Sequence, residues 1–265
     1  MSLTIAISNQ KGGVGKTTTT INLGACLAMA GKRTLIIDID PQANATSGLG
    51  HVVGSDNTIY SAILGEKAGR ESIKQTMIDM LYLIPSDINL AGAELELVSL
   101  PGREFRLKNV IANLDDKFDF ILIDCPPSLS LLTINSLTAA DSVIIPLQTE
   151  YFALEGLGKL MNTINSIKDS LNPSLEVEGL LFTMHDKRTS LSNQVVQEVH
   201  DNYKSHVFQT VIPRNIRLSE APSHGLPITL YDIKSKGADA YVDLARELIV
   251  RRKGFFENQM ERVGA

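Results

Sequence analysis

Apolar and polar positions along the chain fall into two alternating rhythms. Short apolar runs at residues 3 to 8, 33 to 39, 81 to 84, 118 to 123, 142 to 146, 178 to 184 and 207 to 212 predict buried strands. Between them apolar residues recur at helical spacing. In residues 16 to 30 they are Ile21, Leu23, Ala25, Leu27 and Ala28, closed by Gly31. Residues 58 to 64, 89 to 98, 104 to 114, 154 to 167, 191 to 200 and 237 to 253 read the same way. The charges of 89 to 98 and 104 to 114 are expected to be solvated. Residues 44 to 56, small and polar, predict a mobile loop. Strands alternating with helices predict an α/β fold with a doubly wound, mostly parallel central sheet and helices on both faces.

The stretch between the first strand and the first helix carries chemistry. Gly12, Gly13 and Gly15 let the backbone turn tightly and bring its N–H groups close to an anion, at a helix N-terminus. Lys16 adds a mobile positive charge and Thr17 a hydroxyl, the ingredients of a phosphate-binding loop. The usual spacing asks for glycine five positions before Gly15. This chain has Gln10 there, followed by an extra cation, Lys11.

Two strand ends supply carboxylates. Strand alternation places Asp38 and Asp40, in Asp38-Ile39-Asp40-Pro41-Gln42, on one side at the edge where open α/β sheets bind ligands. Asp40 fits a turn before Pro41 or a place near Mg²⁺ or water. The apolar run 118 to 123 ends at Asp124, followed by Cys125-Pro126-Pro127, and after a phosphate loop Asp124 reads as a Walker B carboxylate. With Thr17 it would hold Mg²⁺. The loop after residue 212, with Pro213, Arg214 and Asn215, could wrap a nucleotide base.

Composition narrows the class. With 265 residues, 43% hydrophobic, the chain can bury a sizeable core, and residues 1 to 265 are read as a single P-loop domain. No run of about 18 apolar residues could span a bilayer; with no leader pattern at the N-terminus, a cytoplasmic location is expected. Cys26 and Cys125 predict small buried hydrophobes rather than a disulfide. The five histidines show no metal-ligand spacing. The net charge is −5, but residues 183 to 265 hold 12 Lys/Arg and 10 Asp/Glu, net +2, leaving 13 and 20, net −7, for the rest. An acidic chain can still own a basic face.

These motifs resemble the ParA/MinD group of P-loop ATPases and, within it, the chromosome-partition ATPases of the Soj type. The resemblance spans nearly the whole chain. It rests on KGGVGKTT at 11 to 18, DIDPQ at 38 to 42, LIDCPP at 122 to 127 and VIPRNIRLSEAPSHG at 211 to 225. It implies an ATPase with ATP and Mg²⁺ as cofactors and slow hydrolysis unless stimulated.

The resemblance also implies roles. Gly12, Gly13, Val14, Gly15, Lys16, Thr17 and Thr18 would cradle the phosphates, and Lys16 would reach the β and γ groups. Lys11 would cross a homodimer interface to the partner's ATP. Thr17, Asp124 and Asp40 would form the magnesium region, with Asp40 positioning or activating water. Met184, Asp186, Pro213 and Asn215 would meet adenine. Arg188 and Arg217 would bind double-stranded DNA without sequence preference in the ATP-bound dimer, with Lys236, Arg246, Arg251, Arg252 and Lys253 as weaker candidates for that face. The last three equally suit a helix C-terminus. A ParB-type centromere-binding protein would trigger hydrolysis, and the protein would associate with the nucleoid for chromosome or plasmid segregation.

Three other readings compete. A MinD-like, membrane-associated regulator of division-site placement would use the apolar and cationic residues 248 to 263, but Gly254, Glu257 and Glu261 interrupt any amphipathic face, so no stable membrane association is expected. A tyrosine kinase relative would need a tyrosine-rich tail, and the last tyrosine here is Tyr241. An iron–sulfur relative would need paired cysteines.

Overall fold

The computed structural model describes residues 2–52, 54, 57–114, 117–150, 153–186, 188–203 and 206–253. Seven strands form one sheet: β1 (Leu3–Ile7), β2 (Thr34–Asp38), β3 (Lys74–Gln75), β4 (Leu81–Ile84), β5 (Phe120–Asp124), β6 (Ser142–Gln148) and β7 (Glu176–Thr183). Their spatial order is β3-β4-β2-β5-β1-β6-β7, parallel except for the β3–β4 pair. β1 sits between β5 and β6, so the chain leaves it in one direction and returns on the other side. Such a reversal opens a crevice at the strands' C-terminal ends.

Period-two alternation divides the strand residues between two cores. Leu3, Ile5, Ile7, Ile36, Phe120 and Leu122 face one core, with α1 (Lys16–Met29) and α11 (Lys236–Arg251) packed over it. Ala6, Leu35, Ile37, Ile121 and Ile123 face the other. There they meet α3 (Ile59–Leu64), α4 (Leu90–Val98), α5 (Arg106–Ala112), α6 (Leu131–Ala139), α7 (Ala153–Ser170) and α8 (Ser190–Tyr203). Cys26 and Cys125 are buried free thiols, and burial pushes each up to about 12.

Four expectations need correction. Residues 44–48 form helix α2 (Asn44–Gly48) rather than loop, because Thr46 donates both its N–H and its hydroxyl to the buried Asp38 carboxylate. Arg106 is not merely solvated. Its guanidinium donates to the carbonyls of Ile63 and Leu64, satisfying the open C-terminal end of α3. Residues 207 to 212 do not form a regular strand: they follow β7 through bridges at Leu180–Val207 and His185–Pro213, and the N–H groups of Phe208 and Ile212 donate to the carbonyls of Leu180 and Phe182. The N–H groups of Gln209 and Thr210 go to the Glu247 carboxylate on α11 instead of to β7. Finally, Arg251 and Arg252 are engaged by groups of the protein rather than left free at a helix end. Arg251 donates to the Val207 carbonyl and lies over the Phe208 ring, and Arg252 pairs with the buried Glu178.

Gly179 on β7 makes this arrangement possible. A Cβ there would lie 2.5 Å from Phe208 Cε2 and 3.0 Å from the His206 carbonyl oxygen. Gly179→Ala is therefore expected to destabilise the fold by about 1–3 kcal/mol, as overpacking of a close contact does. Urea unfolding with an unchanged m-value and a lower midpoint is the check.

Candidate active site

The cavity at the C-terminal edge of the sheet has a volume of about 450 Å³. Its floor is the turn between β1 and α1. Gly13 and Gly15 take φ of 73° and 87°, the left-handed region that glycine reaches without strain, and Gly15 is the N-cap of α1. A Cβ on Gly13 would meet nothing within 4 Å. Open space at that backbone, on the cavity wall and at a 14-residue helix's N-terminus, is an anion cradle.

Lys16 is buried, and its ammonium donates to the Lys11 carbonyl at 3.1 Å. Burial lowers its pKa, while Asp124, Cys125 and Asp40 push back. Thr17 Oγ1 donates to Asp124 Oδ2 at 2.8 Å, and Thr20 Oγ1 to Asp124 Oδ1 at 2.9 Å. Asp38 and Asp124 are opposite one another in register on β2 and β5 and are fully buried. Burial raises the pKa of each; the Asp38 charge raises that of Asp124 further, and the nearby Asp40 charge adds to both. An all-oxygen set of a hydroxyl and a carboxylate, in a region crowded with negative charge, fits Mg²⁺.

Asp38 and Asp40 stay adjacent but have different partners. β2 ends at Asp38, so strand alternation stops before Asp40, and the two carboxylates do not share a role. Asp38 is used internally, accepting from Thr46 and from the Asp40 N–H. Asp40 reaches the cavity wall; its Oδ1 accepts from the Gln42 N–H at 2.9 Å, and its carbonyl accepts from the Ser86 hydroxyl at 2.8 Å. Its turn role and its site position therefore coexist.

Of the other expected residues, Gly12, Gly13, Gly15, Thr18, Met184, Pro213 and Asn215 all line the cavity. Val14 is buried behind it, its carbonyl accepting from Thr183 Oγ1 at 2.8 Å. Lys11 turns away from the cavity to Glu150, with Nζ 2.5 Å from Oε2. Asp186 does not line the cavity; it is engaged by Arg188 through two side-chain bonds of 2.9 and 2.7 Å. Arg188 hydrogen bonds hold the Asp186 carboxyl well below the usual range. Arg217 pairs with Glu220 at 2.8 Å and lies 3.5 Å from Asp232.

The wall also holds Arg214, from the loop expected to wrap a base, and three residues that escaped the sequence reading: Asn44, Thr183 and Tyr241. Asn44 follows Asp40 by four positions, so proximity to that motif could have found it. Thr183 ends β7 at the ligand edge. Tyr241 comes from α11 and sits 3.2 Å from the Thr19 hydroxyl; nothing near it in sequence marks it.

A family model described as an AAA domain matches residues 2–177. The sporulation initiation inhibitor protein Soj of Bacillus subtilis is 55% identical over 94% of this chain and 98% of its own length. The chromosome-partitioning ATPase Soj of Treponema pallidum is 51% identical, over 95% and 98%. The chain belongs to the ParA/Soj family of P-loop ATPases. Among solved structures, one described as cobyrinic acid a,c-diamide synthase from Mycobacterium smegmatis, with bound ADP and magnesium, superposes with a TM-score of 0.83. Its identity is 40%, covering 95% of both chains.

Family membership fixes the coarse chemistry. The protein is a chromosome-partitioning ATPase with ATP and Mg²⁺ as cofactors. Among the described residues no helix is long and apolar enough to cross a membrane. The part of the MinD-like membrane reading that depends on residues 254 to 263 lies outside the described residues.

Proposed function

We propose that this chain is an ATP-driven switch for DNA segregation, in which residues 1 to 265 act as one P-loop ATPase domain. The observation that carries the reading is the Thr17–Asp124 contact of 2.8 Å beside Lys16 and Asp40, around one glycine-lined cavity. Lys11 through Thr18 seat the phosphates, and Lys16 exchanges the Lys11 carbonyl for a phosphate oxygen. Thr17 and Asp124 hold Mg²⁺, which neutralises phosphate charge when bound. Asp40 orients the attacking water and takes its proton. Its Oδ1 is fixed by Gln42, and among the described residues no protein group donates to Oδ2.

Adenine lies between Met184, Pro213 and Asn215. Asn215 Oδ1 already accepts from the Arg217 N–H at 2.8 Å as the N-cap of α9 (Ile216–Glu220), which leaves its amide N–H₂ to donate to a ring nitrogen.

Dimerisation follows from Lys11. The Lys11–Glu150 pair has side chains 40% and 50% exposed, and such a pair contributes about 0–1 kcal/mol. The phosphates of a second subunit's ATP offer Lys11 far more negative charge, so ATP draws it across a two-fold interface. DNA binding then uses Arg188 and Arg217 from both subunits. Each is held by half-buried carboxylates with which DNA phosphates can compete, and doubling the contacts makes weak neutralisation effective. A ParB-type centromere-binding protein completes the cycle by stimulating hydrolysis, in the cytoplasm and on the nucleoid. The sequence resemblance supports this part of the reading.

Arg217→Glu tests it. The ATP-bound variant is expected to bind duplex DNA at least about tenfold more weakly at low salt, with a shallower dependence of log K on log salt. ATPase activity without DNA should stay within about twofold, since Arg217 does not line the cavity. An unchanged salt slope would remove Arg217 from the DNA face.

A further inference from the structure

The solvent face of α4 differs from what a surface helix ordinarily presents. Its inner side places Leu90, Ala93 and Leu97 in the core. Its outer side, counting the residue before the N-cap, carries Ile88, Ala91, Leu95 and Val98. Ile88, Leu95 and Val98 are 65%, 80% and 57% exposed. Steps of three, four and three residues align these side chains in one stripe, where a helix with one buried face normally shows charge. A large exposed apolar stripe rimmed by polar groups is the mark of an interaction surface.

Charge decides what kind of partner fits. Residues 85 to 102 contain Asp87, Glu94 and Glu96 and no lysine, arginine or histidine. Glu94 and Glu96 flank the stripe. On the neighbouring α3 the Tyr60 hydroxyl donates to Glu96 at 3.2 Å. Desolvation and the carboxylates of Glu96, Glu66 and Asp87 raise the Tyr60 pKa, the sign of a negative local field. The nearest cation described, Arg103, caps the Val98 carbonyl and is paired with Glu104 at 2.9 Å. A second copy of α4 laid on the stripe would set its own Glu94 and Glu96 against the first pair. Like charges there disfavour self-association.

We propose that Ile88, Leu95 and Val98 form a docking stripe for a cationic amphipathic helix of a partner protein, whose lysines or arginines lie against Glu94 and Glu96. This is helix-on-helix recognition, with apolar anchors for affinity and flanking charge for selectivity. None of the three apolar residues lines the nucleotide cavity, so the surface stands independently of the DNA reading. It is nevertheless close in chain to the site. Ile88 follows by two residues Ser86, whose hydroxyl holds the Asp40 carbonyl.

Fluorescence anisotropy on the full-length protein tests the proposal. The probe is a labelled helical peptide of about 20 residues with leucine at heptad a and d and lysine at e and g, compared with the same peptide carrying glutamate at e and g. The lysine probe is expected to bind in the micromolar range. Binding should weaken at least about tenfold for the glutamate probe and for Leu95→Ser/Val98→Ser, and stay unchanged for the control Ile233→Ser, another exposed apolar residue. Equal binding by the double variant, or by the glutamate probe, overturns the proposal. Without any probe, a changed oligomeric mass of the double variant would make the stripe a contact between copies. A lowered melting temperature would make it a face covered from within, and either result also overturns the proposal.

Discussion

Asp40→Ala is expected to lower ATP turnover by about 10²–10⁴-fold while the affinity for ATP stays within a few-fold. The asymmetry comes from where the side chain stands. Asp40 is on the cavity wall, fixed by the Gln42 N–H at one carboxylate oxygen and by Ser86 at its carbonyl. The groups assigned to phosphate and metal, on Gly13, Lys16, Thr17 and Asp124, are anchored by other elements. Removing the carboxylate takes away proton acceptance and water orientation but leaves the cradle. The variant should therefore accumulate the ATP-bound dimer. Turnover by phosphate release and affinity by equilibrium binding give the two numbers. An Asp40→Ala protein that hydrolyses ATP at the normal rate would assign the proton transfer elsewhere, and one that stays monomeric with ATP would break the link from ATP to dimer.

Lys11→Ala is expected to abolish the ATP-dependent dimer at micromolar concentrations. Truncating one partner of a desolvated charge pair at an interface costs about 2–5 kcal/mol, and a two-fold dimer loses two such contacts. The folded monomer should tolerate the change, because the Lys11–Glu150 pair is exposed and ATP's own cradle uses Gly13, Lys16 and Thr17. Sedimentation velocity with a non-hydrolysable ATP analogue should show a dimer for the wild type and a monomer for the variant, with monomer nucleotide affinity changed by no more than a few-fold. A variant that dimerises like the wild type would remove Lys11 from the interface.

Much of the molecule was legible in its sequence because buried parallel strands leave unbroken apolar runs. Six of the strands, β1, β2, β4, β5, β6 and β7, read from such runs, with β6 running two residues beyond its run and β7 starting two residues before its run and ending one residue short of it. What escaped depends on contacts distant in sequence. Residues 207 to 212 have a strand's composition, and Phe208 and Ile212 do donate to β7, but Glu247, some 40 positions later, takes the N–H groups of Gln209 and Thr210 between them and interrupts the ladder. Helix α6 was missed because Thr133, Asn135, Ser136 and Thr138 are buried polar residues that blur its apolar period. β3, at two residues, is too short to leave a pattern.

The site divides in the same way. Gly13, Lys16, Thr17 and Asp124 sit where motif spacing places them. Asp38 and Asp40 stay together at the end of β2, as their spacing suggested, but Thr46, which takes up Asp38, left no signal, and Tyr241 was invisible because α11 delivers it from the far end of the chain. Arg251 and Arg252 looked like free surface cations, yet Arg252 pairs with the buried Glu178 and Arg251 lies over the Phe208 ring. Charge alone does not tell a DNA contact from a buried partner.

The central claim is that ATP makes this chain a dimer able to bind DNA, and a single titration tests it most directly. Duplex DNA of arbitrary sequence is titrated with the wild-type protein in the presence of Mg²⁺ with ATP, with ADP and without nucleotide, at one low salt concentration. The account predicts binding with ATP at least about tenfold tighter than in the other two states, and little difference between ADP and no nucleotide. Equal affinity in all three states would contradict it.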